Sequence, residues 1–454
     1  MAVVEERTRR AVPRSAHAEW TPAPDRGDPV DVLRAQARDR LPELVPLRYG
    51  RMLASPFAFF RGGAAIMAAD LAPTPVSGVH VQLCGDAHLS NFGGFAAPDR
   101  TLVFDVNDFD ETLPGPWEWD LKRLAASVAI AGRDLGFDRS ARRTALDATT
   151  GSYRRAMADF ATMRTLDLWY ARLEIEPTLK SWAADAKDVN RKRLDRTLDK
   201  VRHKDSLRAL AKLTHEVDGA LRIKSDPPLI VPYDEIDPAR RRGQGPQPLF
   251  EAYRASLPDD RRHLIDRFRP IDYARKVVGV GSVGTDAWIV LLIGNDTTDP
   301  LFLQVKEAGP SVLEPYLRPS GYATSGQRVV EGQRLMQAAS DVLLGWLPPS
   351  VGIDGRRRAY YVRQLWDAKG SVELARLSAT TFADYGRVCG WTLARAHARS
   401  GDRAAIAAYI GTSDRLDRAL ARFAETYADQ NERDYERLVA AVDRGEIEAA
   451  PDPR

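Results

Sequence analysis

Apolar and polar positions divide the chain into three kinds of stretch. In the first third, Val79-His80-Val81-Gln82-Leu83 alternates and predicts a strand. Thr101–Phe104 predicts a second, with a hairpin-like return over Phe92–Arg100 marked by Gly93, Gly94 and Pro98. Ahead of them a short helix is predicted from Val32 to about Leu47. From Pro56 onward Phe57, Phe60, Ala64, Met67 and Leu71 recur near helical spacing. Residues 120–220 are dominated by helix formers, and Lys187–Lys212 mixes basic and acidic residues as an exposed helix does. Beyond Lys276, β-branched runs return. Ala287–Ile293, Leu301–Ala308 and Arg358–Leu365 each predict a strand, with a helix over Gln327–Leu344. From Ser378 the pattern is helical to about Glu446.

This pattern predicts an α+β protein of two lobes. Residues 1–30, rich in Arg, Pro, Ala and Asp, read as a mobile tail. Residues 31–265 form a mainly helical lobe, 270–367 a small antiparallel β lobe, and 368–454 helices that complete the first lobe. Pro227–Pro246, with Arg240-Arg241-Arg242, is loop-like and reads as a linker or lid.

Composition narrows the function classes. A chain of 454 residues, 44% apolar, can bury a large core. The net charge of +3 lacks the weight of a nucleic-acid binder. Two cysteines, Cys84 and Cys389, are too few for a disulfide framework and fit a reducing cytoplasm. Met1–Arg7 lacks a secretory pattern, and no run reaches the roughly 20 apolar residues of a membrane span.

The chemistry concentrates in Cys84-Gly85-Asp86-Ala87-His88-Leu89-Ser90-Asn91 and Phe104-Asp105-Val106-Asn107-Asp108-Phe109-Asp110-Glu111. Two like charges about 4 Å apart repel by roughly 4 kcal/mol at an effective dielectric of about 20, so such crowding calls for a cation. Magnesium on a phosphate suits these oxygen donors. Kinase catalytic loops place a metal-binding Asn five residues after the Asp that orients the acceptor hydroxyl, the spacing of Asp86 and Asn91. Further on, Gly279, Gly281 and Gly284 form a Gly-x-Gly-x-x-Gly turn. A strand follows it, where a dinucleotide fold needs a helix.

Gly-Asp-Ala-His-Leu-Ser-Asn is similar to the Gly-Asp-x-His-x-x-Asn loop of the aminoglycoside-phosphotransferase and choline-kinase-like families. Asp108-Phe109-Asp110 and Asp120-Leu121 stand where those families carry a metal site and the start of a helix. Most of residues 45–440 resemble the bacterial domain-of-unknown-function 2252 family. The residues that carry this resemblance are Ser55–Gly62 ahead of the loop and Trp117–Arg123 behind it. The kinase resemblance implies a protein-kinase-like fold, circularly permuted because the loop and metal site precede the glycine turn.

It also implies an ATP- and magnesium-dependent phosphotransferase acting on an unidentified acceptor, a small-molecule hydroxyl above all. Asp86 would act on the hydroxyl. Asn91 and Asp108 would hold magnesium, with Asp105 or Asp110 as substitutes. Lys306 would pair with the phosphates and be positioned by Glu331, with Glu314 the weaker choice. Gly279, Gly281, Ser282 and Gly284 would approach the nucleotide, and backbone groups of Gln364, Leu365 and Trp366 would hold adenine. AMP transfer to protein and a non-catalytic nucleotide-binding pseudokinase are the alternatives.

Overall fold

The computed structural model describes residues 10–177, 206–236, 247–277, 279–352, 354–365 and 370–453. Most of the predicted mixed-charge helix (residues 187–205), the basic run 240–242 and Trp366 lie outside them. The protein is a mixed α/β structure with small antiparallel sheets. Among the described residues no helix is long and apolar enough to cross a membrane.

Residues 10–30 pack rather than hang free. His17 and Trp20 are buried. Arg26 bridges Asp70 and Asp434 at 2.6 Å each, which fastens the segment to elements at both ends of the chain. Two aromatic anchors and one doubly paired arginine outweigh the disorder-like composition around them.

The first long element is preceded by two short helices, Pro29–Ala37 and Val45–Met52, in place of a continuous one. Ser55 caps helix α1 (Pro56–Gly62) by accepting from the Ala58 N–H. Strand β1 (His80–Leu83) leads into the first loop. It pairs with β4 (Leu113–Pro116), while β2 (Phe92–Ala96) pairs with β3 (Leu102–Val106). The two predicted strands are therefore not partners, because the loop after β1 carries the chain away before β2 returns. Helix α2 (Trp117–Asp134) is buried from Trp117 through Gly132, and α3 (Arg139–Thr162) lies against it. β5 (Leu173–Glu174) adds to β3, and β6 (Thr214–Val217) pairs with β7 (Ala220–Ile223).

The second half builds one six-stranded antiparallel sheet. Its members are β8 (Ile230–Pro232), β9 (Arg269–Lys276), β10 (Ala287–Ile293), β11 (Pro300–Ala308), β12 (Gly345–Val351) and β13 (Arg357–Gln364), in the order β12-β13-β11-β10-β9-β8. β8, within the predicted linker, is its edge strand. Helix α4 (Ser325–Met336) lies between β11 and β12 in sequence. It ends at Met336, short of the predicted end at Leu344, so the apolar stripe that the sequence predicts through Glu331, Leu335, Ala338 and Val342 loses its last two members.

β14 (Gly370–Ser371) returns to pair with β2, and α5 (Ala379–Ser400) and α6 (Arg415–Asp443) join α2 and α3. Close approach of α3 and α5 depends on Gly390, where a Cβ would lie 2.1 Å from the Thr149 carbonyl oxygen.

Candidate active site

Gly85 is the first determinant of the site. Its φ of 81° favours glycine. A Cβ there would fall 2.3 Å from the Glu111 carbonyl oxygen, so the Asp86 loop and the acidic loop touch. Asp120 holds the loop from α2 by accepting the N–H groups of Cys84 and Gly85 at 2.8 and 3.0 Å. His397, buried on α5, contacts Asp120 at 3.2 Å and Tyr153 at 2.8 Å, so it is a bracing histidine.

Within the loop, Asn91 Nδ2 donates to the Asp86 carbonyl at 2.7 Å, and the Asn91 carbonyl accepts the Asn107 N–H at 2.8 Å. The Asp86 carboxylate is clamped by Arg123 of α2, Nε to Oδ1 at 2.5 Å. His88 Nε2 stands 3.7 Å from its other oxygen. Burial pushes the Asp86 carboxyl up, Arg123 pulls it down and Asp108 adds to the rise.

The β sheet supplies the opposing side. Lys306, in β11 between Ala287 and Tyr361 on the neighbouring strands, is only 2% exposed. Its Nζ reaches Asp110 Oδ2 at 2.6 Å and Asp108 Oδ1 at 3.4 Å. Burial opposes the ammonium, but Asp108 and Asp110 outweigh it and hold its pKa above the ordinary value. Tyr361 donates to Asp110 Oδ1 at 2.7 Å and Ser282 to Oδ2 at 3.4 Å. The glycine turn therefore touches the acidic loop through Ser282. Gly279, with φ of 64°, is anchored by its carbonyl to Arg51 at 2.6 Å.

Part of this set borders one cleft of about 660 Å³, lined by Asp86, Asn91, Asp108, Asp110, Gly279, Gly281 and Ser282, whereas Lys306 is not in its lining and connects to it through Asp108 and Asp110. Arg40, Arg61 and the run Arg356–Arg358 add a basic rim, which no local motif marks. Glu111 also lines it. Burial pushes the Glu111 carboxyl up to about 7, against the Val312 N–H that it accepts at 2.7 Å.

Other predicted residues lie elsewhere. Asp105 is turned into the protein, where Arg395 Nη2 reaches both its oxygens at 2.5 and 2.7 Å and the Ala338 N–H donates at 2.9 Å. Its oxygens are engaged, so it is not available to a metal. Glu331 pairs with Arg334 one turn on, at 3.0 Å, and not with Lys306. From α4, Ser325 lines the cleft, and the residue that reaches the acidic loop is Arg328. It is fully buried and donates to the carbonyls of Asp110, Thr112 and Gly309 at 2.8, 2.6 and 2.8 Å. Gln364 is bound by N–H and side chain to Asp341, and Leu365 packs in the core beneath β9–β11, so neither borders the cleft. Gly284 packs against Arg40.

Among the described residues no three His, Cys, Asp or Glu side chains are grouped to cage a metal ion. Magnesium needs less, since it commonly takes one or two carboxylates along with phosphate oxygens and water. Asp108, a carboxylate, and Asn91, whose Nδ2 is taken by the Asp86 carbonyl, both line the cleft.

No curated protein and no solved structure matches the chain. A family profile described as "Uncharacterized protein conserved in bacteria (DUF2252)" matches residues 40–441, and the chain belongs to that family.

Proposed function

We propose that the protein is an ATP- and magnesium-dependent phosphotransferase of circularly permuted, two-lobed kinase-like architecture, acting on a hydroxyl of a small molecule. One observation carries the reading. Lys306, buried in a strand of the sheet that bears the glycine turn, pairs directly with Asp108 and Asp110, and these two line a cleft that also holds Asp86 and Asn91. The succession strand, glycine turn, strand, lysine strand, helix, strand, strand within one antiparallel sheet gives it further support.

In this reading Lys306 exchanges its carboxylate partners for phosphate oxygens. Asn91 and Asp108 are the residues that would hold magnesium, which supplies neutralisation of the phosphate charge. Asp86 orients the acceptor hydroxyl and takes its proton. The acceptor oxygen forms a bond to the γ-phosphorus, the bond from that phosphorus to the bridging oxygen breaks, and ADP leaves with the electron pair. Positioning and electrostatics do most of this, because phosphoryl transfer needs little covalent help.

A nucleotide-binding protein without turnover is favoured by two details, the Arg123 clamp on Asp86 and the lack of a Glu331–Lys306 pair. Following the label of γ-labelled ATP in the presence of an acceptor panel separates the two. Transfer to an acceptor, lost in Asp86→Asn, supports the enzyme. Magnesium-dependent binding with no release of label supports the binder.

A further inference from the structure

A second cavity of about 730 Å³ opens beside the Asp86–Asn91 loop, lined among others by Ser55, Phe57, Ser90, Asp134, Leu374 and Tyr435. Arg61, at the end of α1, lines both this chamber and the cleft. Its carbonyl flanks the glycine turn, 3.4 Å from where a Cβ on Gly281 would stand. Arg61 is therefore the junction between the place where Asp86 lies and a chamber with its own walls.

The charges there are unevenly settled. Asp86 already has Arg123, so Arg61 is not needed to neutralise it. Arg61 Nε is buried and has no hydrogen-bond partner among the described residues. That nitrogen is sealed from the chamber, so an oxyanion bound there would add its charge-assisted hydrogen bonds at the rest of the guanidinium. Burial disfavours the Arg61 cation, Asp86 favours it and Arg51 disfavours it again. The carboxylate in the chamber wall, Asp134, is turned to the Phe57 N–H at 3.0 Å. Phe57, Leu374 and Tyr435 add apolar surface to a wall that is otherwise largely polar.

We propose that this chamber receives the acceptor, and that Arg61 binds an oxyanion carried by it, a carboxylate or a phosphate. The chamber's role as acceptor site rests on the phosphotransferase reading, but its preference for an oxyanion does not. The occupant is thus a small molecule with a hydroxyl, an apolar body and an anionic group, in contrast to a polycationic aminoglycoside.

The test measures binding of 4-(hydroxymethyl)benzoate, benzyl phosphate and the uncharged 4-(hydroxymethyl)benzamide by calorimetry, without nucleotide, and Mg-ATP binding separately. The wild type should bind at least one anion about tenfold more tightly than the amide, and the stronger of the two anions identifies the oxyanion. Arg61→Ala should abolish the preference, Arg61→Lys should retain part of it, and Val372→Trp, which narrows the chamber, should weaken both anions while Mg-ATP binding is unchanged. Equal binding of acid and amide, no binding of any probe at millimolar concentration, or a preference that survives Arg61→Ala overturns the proposal. Absence of Mg-ATP binding in the wild type would instead count against the phosphotransferase reading and with it the acceptor role, and leave the oxyanion preference standing.

Discussion

Lys306 Nζ lies 2.6 Å from Asp110 Oδ2, although 196 positions separate the two residues in the chain. A nearly inaccessible ammonium is thereby neutralised by an acidic loop from the other half of the molecule. An unpaired buried charge is costly, so each group depends on the other. The contact joins the strand that bears the lysine to the loop that follows β3.

Lys306→Ala should therefore destabilise the fold by about 3 kcal/mol or more, because it leaves Asp110 and Asp108 without their cation. Glu331→Gln should change stability by less than about 1 kcal/mol, since its pair with Arg334 is partly exposed. Chemical denaturation of both variants checks this. A large loss in Glu331→Gln would mean that the helix glutamate, not the acidic loop, supports the lysine.

Asp105 is assigned a structural role. Asp105→Asn should lower stability by about 3–5 kcal/mol by leaving Arg395 buried and unpaired, and Asp105→Leu with Arg395→Met should recover much of it. Magnesium affinity, read by calorimetry in the presence of ATP, should stay unchanged in the double variant.

The local arrangement of the loops was legible in the sequence because spacing within a loop is local. Asp86, Asn91, Asp108 and the glycine turn border one cleft, and Lys306 ends beside Asp108. Long-range pairing was not legible. Nothing near Asp105 announces Arg395, 290 residues away, and nothing near Asp86 singles out Arg123 among many arginines. Glu331 drew attention through its apolar stripe, but Arg334 one turn away satisfies it at lower cost. The helix also stops at Met336, which removes half of that stripe. Strand β12, with Pro348 and Pro349, carries no alternation, and only its pairing with β13 makes it a strand. His17 and Trp20 were hidden in a composition typical of tails, since burial of two aromatics is a tertiary event.

Asp86→Asn should keep Mg-ATP binding and lose turnover by about 10²–10⁴-fold, the range for removing a general base. The variant's melting temperature serves as control, because Arg123 loses a charged partner. Full turnover in a folded Asp86→Asn protein would remove this residue from the chemistry.

His17 supplies a pH dependence remote from the cleft. Burial, and then the charge of Lys122, push its pKa down to about 3 from 6.5. The folded state holds the neutral ring, so nothing is lost above the unfolded pKa. Stability should fall as pH drops below about 6.5 and continue falling toward about 3, by a few kcal/mol in all. His17→Gln should flatten that part of the stability profile in urea titrations. An unchanged slope would place the acid sensitivity in other groups.

In the proposed function, two distant parts of the chain together hold a nucleotide triphosphate and its counter-ion. Calorimetric titration of Mg-ATP into the wild type, Lys306→Ala and Asp108→Asn tests this most directly. Magnesium-dependent binding by the wild type is expected, weakened about tenfold or more in each variant. No binding by the wild type, or equal binding by all three, would contradict it.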